Sequence, residues 1–183
     1  MNIFALSDCP QESARSLFDC HVVKMIVETA QLLASAQHVL ELGFHLDPLC
    51  PKLTHKNHPC AIWARESIGN YDWLVQHLIC LLHEYSFRYN KIHAMNKLPE
   101  LMFINFDLRH KFPNPFNRTP FAQSMPEKYK LDNAIEAYRS YYATEKIKRS
   151  DGAIMMKYTN RKPPEWLSEI VKFETTTTYK AIV

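Results

Sequence analysis

Six polar residues in one apolar stretch have both the types and the spacing to do chemistry. Between Phe18 and Leu42 the sequence FDCHVVKMIVETAQLLASAQHVLEL carries His21, Lys24, Glu28, Gln31, Ser35 and His38 at three- or four-residue steps. On a helix that spacing stacks them on one face. A helix that is hydrophobic around most of its circumference is central to a domain. Its polar line must then face water or a cleft, because burying an unpartnered charge is costly. A carboxylate with a cation one turn earlier suits general acid–base work or the stabilisation of developing positive charge. Glu28, flanked by Val27 and Thr29, is the catalytic candidate. Lys24, if desolvated, would offer a neutral amine as nucleophile. The plainer reading has its side chain snorkelling to water, with the Lys24–Glu28 pair contributing only about 0.2–0.5 kcal/mol.

Such residues need rigid elements to place them. Met1 to Ser7 reads as a short extended start, after which Asp8 can cap a helix with Pro10 in its first turn and Gln11 three residues on. The helical pattern runs to Leu42, with a break near Asp19, and Gly43 is a natural stop. A histidine-rich basic loop from Phe44 to Asn57 leads to a second long helix. That helix starts at His58-Pro59, runs towards His93 and is kinked or split at Gly69-Asn70. Its apolar residues Ile62, Trp73, Leu74, Leu78, Leu81, Leu82 and Tyr85 keep helical spacing. Asp132 caps a third helix over Asn133 to Lys148, and a short helix is expected around Pro164 to Lys172. Between them, from Ala94 to Lys130, lies an aperiodic, proline-rich stretch. The expected fold is all-α. It is a compact single domain over residues 1–183, built on two long helices plus a third helix and a long irregular basic-aromatic loop.

Composition narrows the function classes. A chain of 183 residues with 46% hydrophobic residues can bury a real core. No apolar run is long enough to cross a bilayer, because Lys24 and Glu28 interrupt the longest one. MNIFALSDCP has neither a basic start nor a cleavable apolar core, so no signal peptide is expected. Five cysteines with no CxxC favour reduced thiols and a cytoplasmic setting. A net charge of +3 permits a nucleic-acid partner without demanding one.

Three further constellations carry chemical options. In LTHKNHPCAIWARES and just before it, Cys50, His55, His58 and Cys60 are borderline metal ligands, but their spacing matches no common zinc pattern, so no metal is expected. His58 more naturally caps the helix, with Pro59 in its first turn. Trp63, Arg65 and Glu66 would then lie near the end of the polar line, Arg65 pairing with a helix acid or contacting phosphate. On the second helix His77, Glu84, Arg88 and Lys91 read as a solvated charged face. In the irregular loop Arg109, His110, Lys111, Arg118 and Lys128 alternate with Phe106, Phe112, Phe116, Phe121 and Tyr129. Phosphates attract such cations, and unstacked bases attract such aromatic faces.

The pair His21 and Glu28, seven residues apart in HVVKMIVE, resembles the pyrimidine-dimer DNA glycosylases of the bacteriophage endonuclease V type. That family has a histidine and a catalytic glutamate so spaced on its first long helix. Its second helix opens in a pattern similar to HPCAIW, followed by leucines and by an acidic and a basic residue, here Glu84 and Arg88. The ending TYKAIV resembles the tail of some members. The chain also resembles tailed-phage proteins with an MNIF start and a VVKM...ETAQ helix.

The glycosylase resemblance implies a cofactor-free helical enzyme whose N-terminal α-amine attacks the sugar C1′. The amine displaces the base, and the strand is then cleaved by β-elimination through a Schiff base, supported by the glutamate. Asn2 would leave Met1 in place, so the amine would belong to Met1 or Lys24. The expected catalytic set is Glu28, Lys24 and Met1. His21, Gln31, His58, Trp63 and Asn70 would position substrate, and Arg65, Arg109, Lys111 and Arg118 would hold phosphates. Phe112 or Phe116 would support an extruded base. The expected partner is DNA, with no membrane. The alternatives are a non-catalytic nucleic-acid or host-protein binding factor, such as a counter-defence protein, and an enzyme acting on a small nucleotide.

Overall fold

The computed structural model describes residues 1–149 and 151–170, and among them the regular structure is helical, with no strand. Helix α1 spans Pro10–Arg15, α2 Asp19–Leu40, α3 Pro59–Glu66, α4 Ile68–Tyr89, α5 Leu98–Met102 and α6 Ala134–Glu145. A further helical turn covers 165–170. The expected extension of that turn to Lys172, and the TYKAIV tail, lie outside the described residues.

Several helix boundaries differ from expectation for local reasons. Asp8 does not cap α1. The N-cap is Cys9, which has no side-chain bond, and Asp8 instead meets Arg118 at 2.6 Å. Helix α2 stops at Leu40 because Glu41 turns left-handed (φ 50°), two residues before the expected Gly43. The second helix divides at Ser67, not at Gly69-Asn70. Ser67 is extended (φ −145°) and its hydroxyl accepts from the backbone N–H groups of Gly69 and Asn70, a standard N-cap. Gly69 has a different duty. A Cβ there would stand 2.4 Å from the Arg118 backbone nitrogen, so glycine lets the 113–119 loop lie directly on α4. Asn90 (φ 51°) ends α4 short of His93, and Asn133, rather than Asp132, caps α6.

One hydrophobic cluster joins residues from Ile3 to Leu167, with α2 and α4 contributing much of it. The N-terminal segment is part of this core. Ile3, Ala5 and Leu6 are fully buried and Phe4 nearly so. Phe4 adopts a left-handed φ of 42°, uncommon for a large side chain, and its ring packs against His21, Tyr138, Tyr141 and Tyr142.

Of the solvated face expected on the second helix, Lys91 is exposed, beyond the end of α4, but the other three residues are interior. His77, Glu84 and Arg88 are all buried. Arg88 donates to Glu84 (2.7 Å), Asp19 (3.0 Å) and the carbonyls of Leu17 (2.8 Å) and Arg15 (2.9 Å). Arg161 forks onto both Glu84 oxygens (2.5 and 2.8 Å). Burial is tolerated because each charge meets an opposite charge and further hydrogen bonds. These partners lie up to 77 residues away in sequence. The network fastens the start of α2 and the 157–161 segment to α4, and so fixes the helix that carries Glu28.

Candidate active site at the N-terminus

The site begins with an accounting of backbone bonds. A buried, non-helical segment must find a partner for each polar group it buries. Here Asn2 N–H donates to Glu28 Oε2 at 2.8 Å, and Asn2 Oδ1 accepts from Ile3 N–H (2.8 Å) and Phe4 N–H (3.2 Å). Ser13 Oγ donates to Phe4 O and accepts from Leu6 N–H, while Arg139 Nε donates to Leu6 O at 2.9 Å. The result is an N-terminus held against the middle of α2. The Met1 amine nitrogen is one residue from Asn2 N, so covalent geometry keeps it within about 3.6 Å of that atom.

Glu28 is mostly buried, its side chain 15% exposed, and its second oxygen, Oε1, sits 3.4 Å from Lys24 Nζ. Lys24 itself is 60% exposed, so the desolvation that would activate it as a nucleophile is missing. His58, the N-cap of α3, accepts Cys60 N–H through Nδ1, and its Nε2 faces Ser124 Oγ at 3.2 Å. Burial lowers the His58 pKa, aided by the positive Met1 amine and by His55, while Glu28 opposes the shift. Ser124 links this imidazole to the N-terminal segment, because Ser124 O accepts from Asn2 Nδ2 at 2.8 Å.

His21 stands under the N-terminal segment rather than facing outward. It is buried, its Nδ1 is 2.6 Å from Tyr142 Oη, and its ring packs between Phe4 and Phe18. Burial, reinforced by Lys24 and Lys146, pushes its pKa down to about 4, so it is neutral at physiological pH. The polar line on α2 is therefore divided. Lys24, Glu28, Gln31 and His38 are at least partly open, whereas His21 and Ser35 belong to the core.

The remaining candidates fall in two groups. Trp63 and Asn70 are buried structural residues. Asn70 bonds Trp63 O, Thr119 Oγ1 and Thr119 N–H, and Trp63 packs on Trp73 and Phe121. Phe112 is also buried, packed edge-on to Tyr71, so it offers no free face to a base. Phe116, 80% exposed, and Phe106, 84% exposed, are open aromatics of the irregular loop. Arg65, Arg109, Lys111 and Arg118 all reach the surface, each with a protein partner. These are Lys56 O, Asp72, Glu41 O and Asp8 respectively. Among the described residues no group of three His, Cys, Asp or Glu side chains is placed to hold a metal, and no helix is long and apolar enough to cross a membrane.

Sequence reasoning missed Asn2 and Ser124. Asn2 carried a signal, being a short amide beside a candidate amine. Ser124 carried none, because only the fold brings residue 124 to residue 2.

The helical fold holds its N-terminal segment against a mostly buried carboxylate. The chain belongs to the pyrimidine dimer DNA glycosylase family, whose model matches residues 1–97, just over half the chain. Membership carries a DNA-glycosylase type of function on damaged pyrimidines, with DNA as partner. No curated protein and no solved structure matches the chain.

Proposed function

We propose that this protein is a DNA glycosylase with abasic-site lyase activity, in which the Met1 α-amine is the nucleophile and Glu28 the essential carboxylate. The observation that carries the reading is the 2.8 Å bond from Asn2 N–H to Glu28 Oε2, which brings the chain's amine to the only acidic side chain on the polar line of α2. The neutral amine attacks C1′ of the damaged nucleotide. The glycosidic bond breaks and its electron pair leaves with the base. Glu28 stabilises the positive charge at the sugar and takes the proton released by the nitrogen. Opening of the sugar ring gives an imine between C1′ and the nitrogen. Loss of the C2′ proton then expels the 3′ phosphate by β-elimination.

Lys24, open to water and paired with Glu28, adds positive potential for the DNA backbone. Gln31, one turn beyond Glu28 and partly open, contacts the nucleotide in this reading. Arg65, Arg109, Lys111 and Arg118 exchange their present partners for phosphates. His21, Trp63, Asn70 and Phe112 act through packing, and Phe116 replaces Phe112 as the residue available for base stacking.

Borohydride trapping on a duplex with one abasic site tests the covalent step. The expected result is a protein–DNA adduct that peptide mapping places on Met1. Absence of any adduct at high protein concentration would remove the imine mechanism and leave a DNA-binding role.

A further inference from the structure

The family match ends at residue 97, so it says nothing of what the rest of the chain does. The hydrogen bonds around Asn2 give that part a role. Asn2 Nδ2 donates to the backbone carbonyl of Ser124 at 2.8 Å, and Asn2 is only 8% exposed. The Asn2 side chain thus bonds on both sides: its oxygen closes a turn onto Ile3 and Phe4, and its nitrogen ties that turn to the 122–125 stretch.

Ser124 is itself held from three directions. Its N–H donates to Tyr138 Oη (3.2 Å), Tyr138 Oη donates to Ala122 O (2.6 Å), and its hydroxyl meets His58 Nε2. Because His58 Nδ1 already accepts from Cys60 N–H, the neutral imidazole carries its proton on Nε2 and donates it to Ser124 Oγ. Phe4, at φ 42°, is the strained residue that this turn maintains. The bonds form a continuous path from the start of α3, through Ser124 and Asn2, to Glu28.

We propose that Asn2 and Ser124 form a clamp in which the half of the chain beyond residue 97 aims the terminal amine at Glu28, making Asn2 a positioning residue for the amine. The inference rests on the amine reading above. Without the clamp, the first two residues would keep one bond, to Glu28, and would swing on it. A misplacement of about 1 Å can cost on the order of 10²-fold in rate.

Asn2→Leu tests this at similar side-chain size, with Asn2→Asp as the conservative partner that keeps an acceptor for Ile3 and Phe4. Intact mass establishes that all three proteins carry Met1. The probe is the single-abasic-site duplex under single-turnover conditions with borohydride. For Asn2→Leu the adduct should form at least about tenfold more slowly, with duplex affinity within about twofold and a melting temperature lowered by the unpaired Ile3 N–H, Phe4 N–H and Ser124 O. Asn2→Asp keeps the turn onto Ile3 and Phe4 but lacks the donor to Ser124 O, so it should regain stability and stay slow. An Asn2→Leu rate equal to wild type would overturn the clamp, as would an equal loss of rate and affinity, or an aspartate variant as fast as wild type. A wild-type protein that forms no adduct would instead overturn the amine mechanism, which distinguishes the two failures.

Discussion

At the residue scale, Glu28 is the most exacting position. It is shielded, it touches the N-terminal backbone, and it faces one wet lysine. Replacing its carboxylate with an amide preserves shape and the acceptor for Asn2 N–H but removes the charge. Glu28→Gln should therefore leave the melting temperature within a few degrees of wild type and slow borohydride trapping by about 10² or more. A trapping rate within threefold of wild type would remove Glu28 from the chemistry. Lys24 shows why residue type alone misleads. Its position one turn before Glu28 suggests an activated amine, yet at 60% exposure it lacks the desolvation that such activation needs. Peptide mapping of the trapped adduct should accordingly find Met1 modified and Lys24 unmodified.

At the scale of elements, two features hold the helices that frame the site. Arg88 is the hub of a buried ionic network linking α4, the start of α2 and, through Glu84, the 157–161 segment. Removing one member leaves Glu84 and Asp19 buried beside a smaller positive charge. Arg88→Met should cost about 3–5 kcal/mol, read from urea unfolding. A change below about 1 kcal/mol would mean that the network is open to water. Gly69 is the second feature. Any Cβ would collide with the backbone of Asn117 and Arg118, which cannot rotate away as a side chain can. Gly69→Ala should destabilise by about 1–3 kcal/mol despite the better helix propensity of alanine. A stabilised Gly69→Ala variant would contradict the packing of the 113–119 loop on α4.

At the scale of the whole molecule, two buried neutral histidines tie stability to pH. Burial lowers both His77 and His21 to about 4, with Lys24 and Lys146 adding to the effect at His21. In the unfolded chain both would titrate near 6.5. Between these values the unfolded state binds more protons, so stability rises with pH across that window. Above about pH 6.5 the contribution is complete, and as pH falls towards 4 it is lost, on the order of 3 kcal/mol for each histidine. Urea midpoints at pH 7.5 and pH 5 should show the protein weaker at pH 5. His77→Gln should flatten part of that difference, and an unchanged slope would exclude His77 as a source. The hydrophobic cluster running from Ile3 to Leu167 supports reading the chain as one folding unit. Coincident unfolding transitions by fluorescence and circular dichroism would test that reading.

Local rules made much of the fold and part of the site legible in the sequence. The helical spacing of α2 and α4 follows from side-chain periodicity. His58-Pro59 opens α3 because a capping side chain followed by proline satisfies and pre-forms the first turn. Glu28 stood out as a carboxylate interrupting an apolar helix, and the seven-residue step from His21 pointed to the family. What local patterns cannot encode is which distant segments meet. The charges of Glu84 and Arg88 look solvent-facing at helical spacing, and only partners such as Asp19 and Arg161 make their burial affordable. His21 and Glu28 share a helix face, yet the aromatic ring of Phe4 covers one and leaves the other for the chain terminus. Ser124 meets Asn2 across 122 residues. The sequence alone determined the carboxylate and the helix that carries it. The tertiary structure decided that the N-terminal backbone meets that carboxylate, because that depends on the path of the buried N-terminal segment through the core.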